Sequence, residues 1–401
     1  MTLSAITNAR SYAHPDAPCW LRFERGEFEL MERTPPPEPS GDEVIDGRGL
    51  LVAPGYVDIH VHGGGGFDLM TDDPEQVRGY ARWAVTHGVT SFLISTSGRD
   101  HAEILHRLRA LAPVINNAGP GEARALGFHL EGPYINPVRK GAFDPRWLRP
   151  PNVREYEELF EASGGTVRQM TLAPELPGAD DLIRAVVKSG AVAAMGHTDA
   201  TYEQALRAID LGVSHVTHCY NAMRPFNHRD PGVLGVAFDQ GLTYRSPTVE
   251  LIGDGAHVGF VAARLLVHAR GYDGSGIVLV TDGMPLCGTP DGEGVWEGVP
   301  IRVEGGKAVR ATDGTIIGGT TPMDQLVRNA ANYMGLKADR TVPDAIRMAS
   351  ENAVHALRLP RDAGFLGSTA DFILLDDDLR VMETWVAGER VYQVRHMAPR
   401  Q

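Results

Sequence analysis

Between Tyr56 and His62 apolar residues alternate with Asp58, His60 and His62, the period of two that sends one set of side chains to one face of a β-strand. Apolar runs of strand length recur at Val89–Thr96, Ala125–Leu130, Val167–Leu172, Ala191–Gly196, Val213–His218, Thr248–Gly253 and Gly276–Thr281. Helical periodicity fills several of the gaps, at Pro74–His87, Asp180–Ser189, Tyr202–Leu211 and Gly259–Arg270. The first of these has Asp72 or Asp73 near its N-cap and Gly88 at its end, as helix boundaries require. Eight strands alternating with helices over roughly 250 residues is the rhythm of an α/β, TIM-type (β/α)₈ barrel, whose chemistry sits at the C-terminal ends of its strands.

The flanks read differently. From Leu3 to about Val52 the pattern is short and strand-like, with Trp20–Glu24 and Phe28–Met31 separated by Arg25-Gly26-Glu27, and the run Pro35–Pro39 reads as an exposed loop. β-like segments return at Asp371–Leu375 and Trp385–Tyr392, after helical stretches at Pro322–Met334 and Pro343–Leu357. The division predicted is a barrel over 53–364 and a small β-sandwich built from both termini, 1–52 and 365–401. Gly283 to Gly319 is long for a strand-to-helix loop and contains a hairpin-like Ile301–Val309, which suits a wall or lid over the barrel mouth.

The polar residues at the predicted strand ends form a set. His60 and His62 end strand one, Glu131 strand three, His197 strand five, His218 strand six and Asp282 strand eight. A lone histidine in such a place reads as a hydrogen-bonded core group, and a lone carboxylate as a helix cap. Six at one barrel mouth are poorly explained that way. Four imidazoles and two carboxylates are donors that hold Zn²⁺, Fe²⁺, Mn²⁺ or Co²⁺. Gly63 to Gly66 follow the His-x-His pair, letting the backbone turn sharply and approach a bound group.

Composition narrows the partners. The chain has 401 residues, is 43% hydrophobic and carries a net charge of −13, which argues against nucleic acid and anionic membranes, since both are bound through basic patches. Three scattered cysteines, Cys19, Cys219 and Cys287, suit neither a disulfide framework nor a CxxC zinc site. The segment Met1–Ile6 has no basic region leading into an apolar run, and no stretch reaches the ~20 apolar residues of a membrane span. A cytoplasmic protein is expected.

In order along the chain stand His60-Val61-His62-Gly63, His129-Leu130-Glu131-Gly132-Pro133-Tyr134, Gly196-His197-Thr198, Thr217-His218-Cys219-Tyr220-Asn221-Ala222-Met223, Asp254-Gly255-Ala256-His257 and Thr281-Asp282-Gly283. With these the chain resembles the N-acetylglucosamine-6-phosphate deacetylases of the amidohydrolase superfamily over nearly its whole length. His-x-His and the strand-eight Asp are shared across the superfamily; Leu-Glu-Gly-Pro and Thr-His-x-Tyr-Asn-Ala-Met are the narrower signals. The resemblance implies that Glu131, His197 and His218 hold a principal divalent ion, zinc first, with His60 and His62 offering a second site. It implies Asp282 as the catalytic carboxylate. It also implies that Asn221, the Ala222 N–H, His257 and Arg229 embrace a sugar phosphate, Arg229 reaching across from the other subunit of a homodimer. Family members usually carry a histidine after the Lys-Gly-Ala segment, whereas here Phe143 follows Lys140-Gly141-Ala142. A phenyl ring can pack on a sugar face but donates no hydrogen bond.

The reaction these features imply is metal-dependent hydrolysis of the acetamide of N-acetyl-D-glucosamine 6-phosphate to D-glucosamine 6-phosphate and acetate. The nearer alternatives are the galactosamine epimer or another amidohydrolase activity. Many of the latter use a carboxylated lysine at strand four, and no lysine lies near Met170–Glu175. A non-enzymatic barrel scaffold is the farther alternative, and it would be expected to have lost part of the set.

Overall fold

The computed structural model describes residues 3–24, 26–32, 43–337, 340–362, 365–366 and 369–394; the Pro35–Pro39 run lies outside them. Eight parallel strands form the barrel in sequence order: β1 (Tyr56–Asp58), β2 (Val89–Thr96), β3 (Arg124–Glu131), β4 (Val167–Leu172), β5 (Val192–Met195), β6 (His215–Val216), β7 (Thr248–Leu251) and β8 (Ile277–Leu279). Each pairs with the next in parallel register. The ring closes just past the regular strands. Asp282 N–H donates to the His60 carbonyl at 2.9 Å and His62 N–H to the Gly283 carbonyl at 2.7 Å, and the Thr281 hydroxyl donates to Asp58 Oδ2 at 2.5 Å.

Helices α1 (Pro74–Ala84), α2 (His101–Leu111), α3 (Val153–Ala162), α4 (Ala179–Lys188), α5 (Tyr202–Leu211), α6 (Gly232–Phe238), α7 (Phe260–Ala269) and α8 (Met323–Tyr333) alternate with the strands. Their starts are chemically marked. Asp73 accepts from the Glu75 N–H, and Thr201 and Gln204 form a reciprocal capping box. The predicted helix over Pro343–Leu357 is two, α9 (Thr341–Met348) and α10 (Glu351–Ala356), because Ser350 leaves helical geometry at φ −134°, ψ −88°. Ala353, Val354, Ala356 and Leu357 pack with Val57, Leu93, Val192 and Val278 from inside the barrel. The break thus turns α10 under the barrel as an apolar plug.

The termini build one eight-stranded sheet: Glu389–Gln393, Val381–Val386, Phe372–Leu375, Leu51–Pro54, Leu3–Ser11, His14–Glu24 and Glu27–Glu32 in spatial order, with Glu43–Asp46 also paired to Leu3–Ser11. Phe23 and Phe372 sit three strands apart in that order, about 14 Å on a flat sheet at ~4.8 Å per strand. Their ring centroids are 5.6 Å apart. The sheet is therefore rolled, and Phe23 also meets Trp385 at 5.8 Å in the fold, giving the two-layered character expected of a small sandwich. The Arg124–Asp371 ion pair ties β3 to it.

The insert after β8 is a three-stranded antiparallel sheet, Gly292–Trp296, Val299–Glu304 and Lys307–Arg310. Its two-residue turns have positive φ at both central positions, Glu297 (53°) with Gly298 (75°) and Gly305 (59°) with Gly306 (72°), the twist that tight hairpins prefer. Trp296, Ile301, Val303, Ala308 and Ile317 bury one face of it against Met70 and Met284 of the barrel mouth. No helix among the described residues is long and apolar enough to cross a membrane.

Gly196 shows how tightly the interior is filled. A Cβ there would lie 2.7 Å from Thr217 Cβ and 2.9 Å from Thr171 Cγ2, on neighbouring strands whose hydroxyls are hydrogen bonded to each other at 2.7 Å. Gly196→Ala is expected to destabilise the fold by about 1–3 kcal/mol, the usual cost of overpacking. An unchanged urea midpoint would show that the interior has slack.

Candidate active site

The strands deliver the six sequence-predicted residues to one place, several through uncommon backbone. His197 (φ 48°), His218 (φ 26°) and Asp282 (φ 45°) follow β5, β6 and β8 in left-handed conformations, as does nearby Ala222 (φ 48°). Such positions cost roughly 1–3 kcal/mol each outside glycine and gather at functional sites. Here they swing side chains from the strand ends over the barrel mouth. The regular part of β1 stops at Asp58, short of the predicted end at His62. His60 and His62 are nevertheless inward and buried.

Two donor groups result: Glu131, His197 and His218; and His60, His62 and Asp282. In the first, Glu131 Oε1 is 3.2 Å from His197 Nε2 and 3.1 Å from His218 Nε2, and the two nitrogens are 3.0 Å apart. In the second, Asp282 Oδ1 is 3.5 Å from His60 Nε2 and 3.4 Å from His62 Nε2. Glu131 joins the groups, its Oε1 lying 3.5 Å from His60 Nε2 and its Oε2 3.4 Å from His62 Nε2.

The donors fit divalent cations. His197 Nδ1 lies 2.9 Å from the Arg139 carbonyl, which claims the ring proton and leaves the Nε2 lone pair facing Glu131 and His218. His60 Nε2 is buried without a hydrogen-bond partner, a costly arrangement unless something positive is bound. The electrostatics agree. Burial pushes Glu131 and Asp282 upward, but the surrounding imidazoles outweigh it and hold both carboxyls below the usual range. Burial opposes a charge on His62 too, yet Asp282 and Glu131 raise it to about 9. A cation must therefore displace protons to bind. Metal affinity is expected to rise about tenfold per pH unit for each proton displaced below that value; calorimetric titration at two pH values reads it, and a pH-independent affinity would contradict it.

Above the donors opens a cavity of about 480 Å³ lined by His62, Glu131, His197, His218 and Asp282 on its floor. Asn221, Ala222 and His257 line it as well, and Trp296–Val299 with Thr315–Gly318 of the insert form a wall, as the sequence predicts. His257 Nδ1 is 2.7 Å from Asp254 Oδ2. Burial favours its neutral form, but Asp254 raises its pKa above the ordinary value, which moves the ring toward the form that carries an Nε2–H. Phe143 meets His197 edge-on, centroids 4.8 Å apart, and so contributes ring area where a histidine would contribute a donor. Arg229 is exposed and is not among the cavity's lining residues in the single chain.

Sequence reasoning missed the groups behind the donors. Glu250 on β7 is fully buried and faces His60, Gln169, His215 and the His218 backbone. Glu175 accepts from the Thr198 hydroxyl at 2.6 Å and the Asp199 N–H at 2.6 Å, fixing the turn after His197. A charged residue in the middle of an apolar strand run, as in Thr248-Val249-Glu250-Leu251-Ile252, was the available signal for Glu250.

Comparison with known proteins agrees with this geometry. The amidohydrolase family model matches residues 51–394. The chain is 36% identical to the N-acetylgalactosamine-6-phosphate deacetylase of Escherichia coli O157:H7, over 88% of this chain and 90% of that protein. It is 35% identical to the N-acetylglucosamine-6-phosphate deacetylase of Bos taurus, over 89% of this chain and 87% of that one. A solved structure of a mutant N-acetyl-D-glucosamine-6-phosphate deacetylase from Mycobacterium smegmatis, in complex with N-acetyl-D-glucosamine 6-phosphate, superposes with a TM-score of 0.86 at 33% identity, covering 97% of this chain and 98% of that one. A family model over residues 51–394, with relatives and a solved structure matching nearly the whole chain at 33–36% identity, places the chain in the amidohydrolase family, in its N-acetylglucosamine-6-phosphate deacetylase branch.

Proposed function

We propose that the chain hydrolyses the acetamide of N-acetyl-D-glucosamine 6-phosphate, giving D-glucosamine 6-phosphate and acetate. The observation that carries this reading is the pair of donor groups joined by Glu131, Asp282 among them, on the floor of a cavity that is also lined by Asn221, Ala222 and His257. Glu131, His197 and His218 would hold the principal ion and His60 and His62 a second, zinc being the first choice for such donors. A divalent ion there supplies Lewis acidity to the acetyl oxygen and to the attacking water.

The chain's residues supply the rest. Asp282, kept ionised by its imidazole neighbours, takes a proton from the water that attacks the acetyl carbon. It returns that proton to the sugar nitrogen as the C–N bond breaks, since an amine leaves readily only when protonated. His257, Asn221 and the Ala222 N–H take the phosphate, and Phe143 packs on the sugar. A metal-supplemented panel of N-acetylated hexosamines, with and without the 6-phosphate, tests the substrate class. Acetate released from the non-phosphorylated sugars alone would remove the phosphate site. The galactosamine epimer belongs in that panel because Phe143 changes the sugar contact and a relative at 36% identity acts on it.

The phosphate site is completed by Arg229 from a second copy in a homodimer, in the cytoplasm, where three free cysteines are stable. Support comes from Arg229's exposure on the loop before α6 and from the need to hold a dianion on a chain of net charge −13. Arg229→Ala and Asp282→Asn are expected to be nearly inactive alone. After subunit exchange, half the dimers are mixed and one pocket in each is whole, so roughly a quarter of parental activity should return. No recovery after verified exchange would mean that Arg229 serves no neighbouring pocket.

A further inference from the structure

Strand β7 carries none of the six donors, yet it places a carboxylate beneath both groups. Glu250 is 0% exposed. Its Oε2 lies 2.8 Å from His60 Nδ1 and accepts the His218 N–H at 2.9 Å. Its Oε1 accepts the Gln169 amide at 2.8 Å and lies 3.0 Å from His215 Nε2. Four partners surround its two oxygens, about the number an ionised carboxylate can accept. An ionised carboxylate has no proton to give, so His60 Nδ1 must be the donor in that contact. In the neutral form of the ring that binds a metal, the remaining nitrogen, Nε2, is then the lone-pair atom, and it is the one buried without a hydrogen-bond partner between Glu131 and Asp282.

We propose that Glu250 is the positioning residue of the second ion site: it fixes the tautomer and ring angle of His60 so that Nε2 faces the space shared with His62 and Asp282. The inference rests on the two-ion reading above. It differs from a general packing role in being directional. Within the first group, His197 takes its orientation from the Arg139 carbonyl and Glu250 touches only the backbone of His218, whereas in the second group it holds a donor side chain directly. Partners of this kind behind a metal-binding histidine are worth about 10–100-fold in metal affinity.

The test titrates metal-stripped full-length protein with Co²⁺, followed by calorimetry and by the visible spectrum of the bound ion. Glu250→Met keeps length and removes the acceptor. It should leave the first equivalent unchanged and weaken the second about 10–100-fold. Glu250→Gln keeps one accepting oxygen and should recover part of that loss. In a His60→Gln background, Glu250→Met should weaken the second equivalent no further, because the ring that Glu250 positions is already gone. Parental second-site affinity in Glu250→Met, or equal weakening of both equivalents, would overturn the proposal. Where Glu250→Met does not fold, ¹⁵N-histidine spectra of the zinc-loaded parent decide, with the His60 signals assigned through His60→Gln. A proton on His60 Nδ1 is expected, and a proton on Nε2 overturns the assignment. A parent that takes up a single equivalent refutes the two-ion reading instead, and the ring-nitrogen measurement still judges Glu250.

Discussion

Asp282→Asn should leave a folded protein that retains the ion at Glu131, His197 and His218 but has a kcat lower by at least about 10²-fold, the low end for losing a positioned acid–base group. The substitution is unusually clean here. Asp282 has φ 45°, and asparagine is among the few residues that tolerate left-handed backbone. The hydrogen bond that closes the barrel uses the Asp282 main-chain N–H, which asparagine keeps. What disappears is the carboxylate that His60 and His62 hold ionised. A neutral amide can neither take the proton of the attacking water nor return it to the sugar nitrogen. Near-parental turnover in a mutant shown by elemental analysis to be metal-replete would exclude this role.

Glu131→Gln should be more damaging still, with kcat/KM falling by at least about 10³-fold, equivalent to the several kcal/mol of charge stabilisation a divalent ion provides. Glu131 lies within 3.2 Å of His197 and His218 through one oxygen and 3.4 Å from His62 through the other. Removing its charge strips the anionic member from the first group and the shared carboxylate from the second. The double change His60→Gln with His62→Asn separates the two effects, because it should lower the stoichiometry while leaving the first group filled. Elemental analysis of the three proteins reads the difference. Equal metal content in Glu131→Gln and the parent would mean that the ions sit elsewhere.

Most of this site was legible in the sequence because a parallel barrel converts order along the chain into position around a ring. Once eight apolar runs are recognised, a polar residue closing a run must lie at one rim, so His197, His218 and Asp282 could be placed without coordinates. What stayed hidden depends on contacts between strands. Glu250 sits mid-strand, and its meaning comes from His60, 190 residues away in sequence. The roll of the terminal sheet rests on Phe23 meeting Phe372 and Trp385 across strands that are not its neighbours. The break that makes α10 a plug leaves a weak local signal, since Ala349 and Ser350 are tolerable inside helices. In each case tertiary packing chose among local conformations that the sequence left close in energy.

The most direct measurement is acetate release from N-acetyl-D-glucosamine 6-phosphate by chelator-stripped protein as Zn²⁺ is returned stepwise, with the free amine counted in parallel. The expected trace begins without turnover and climbs as the Glu131–His197–His218 group and then its neighbour fill, yielding one amine for each acetate. Full turnover by the stripped protein, or metal-restored protein that releases no acetate from any phosphorylated N-acetylhexosamine, would contradict a metal-dependent deacetylase.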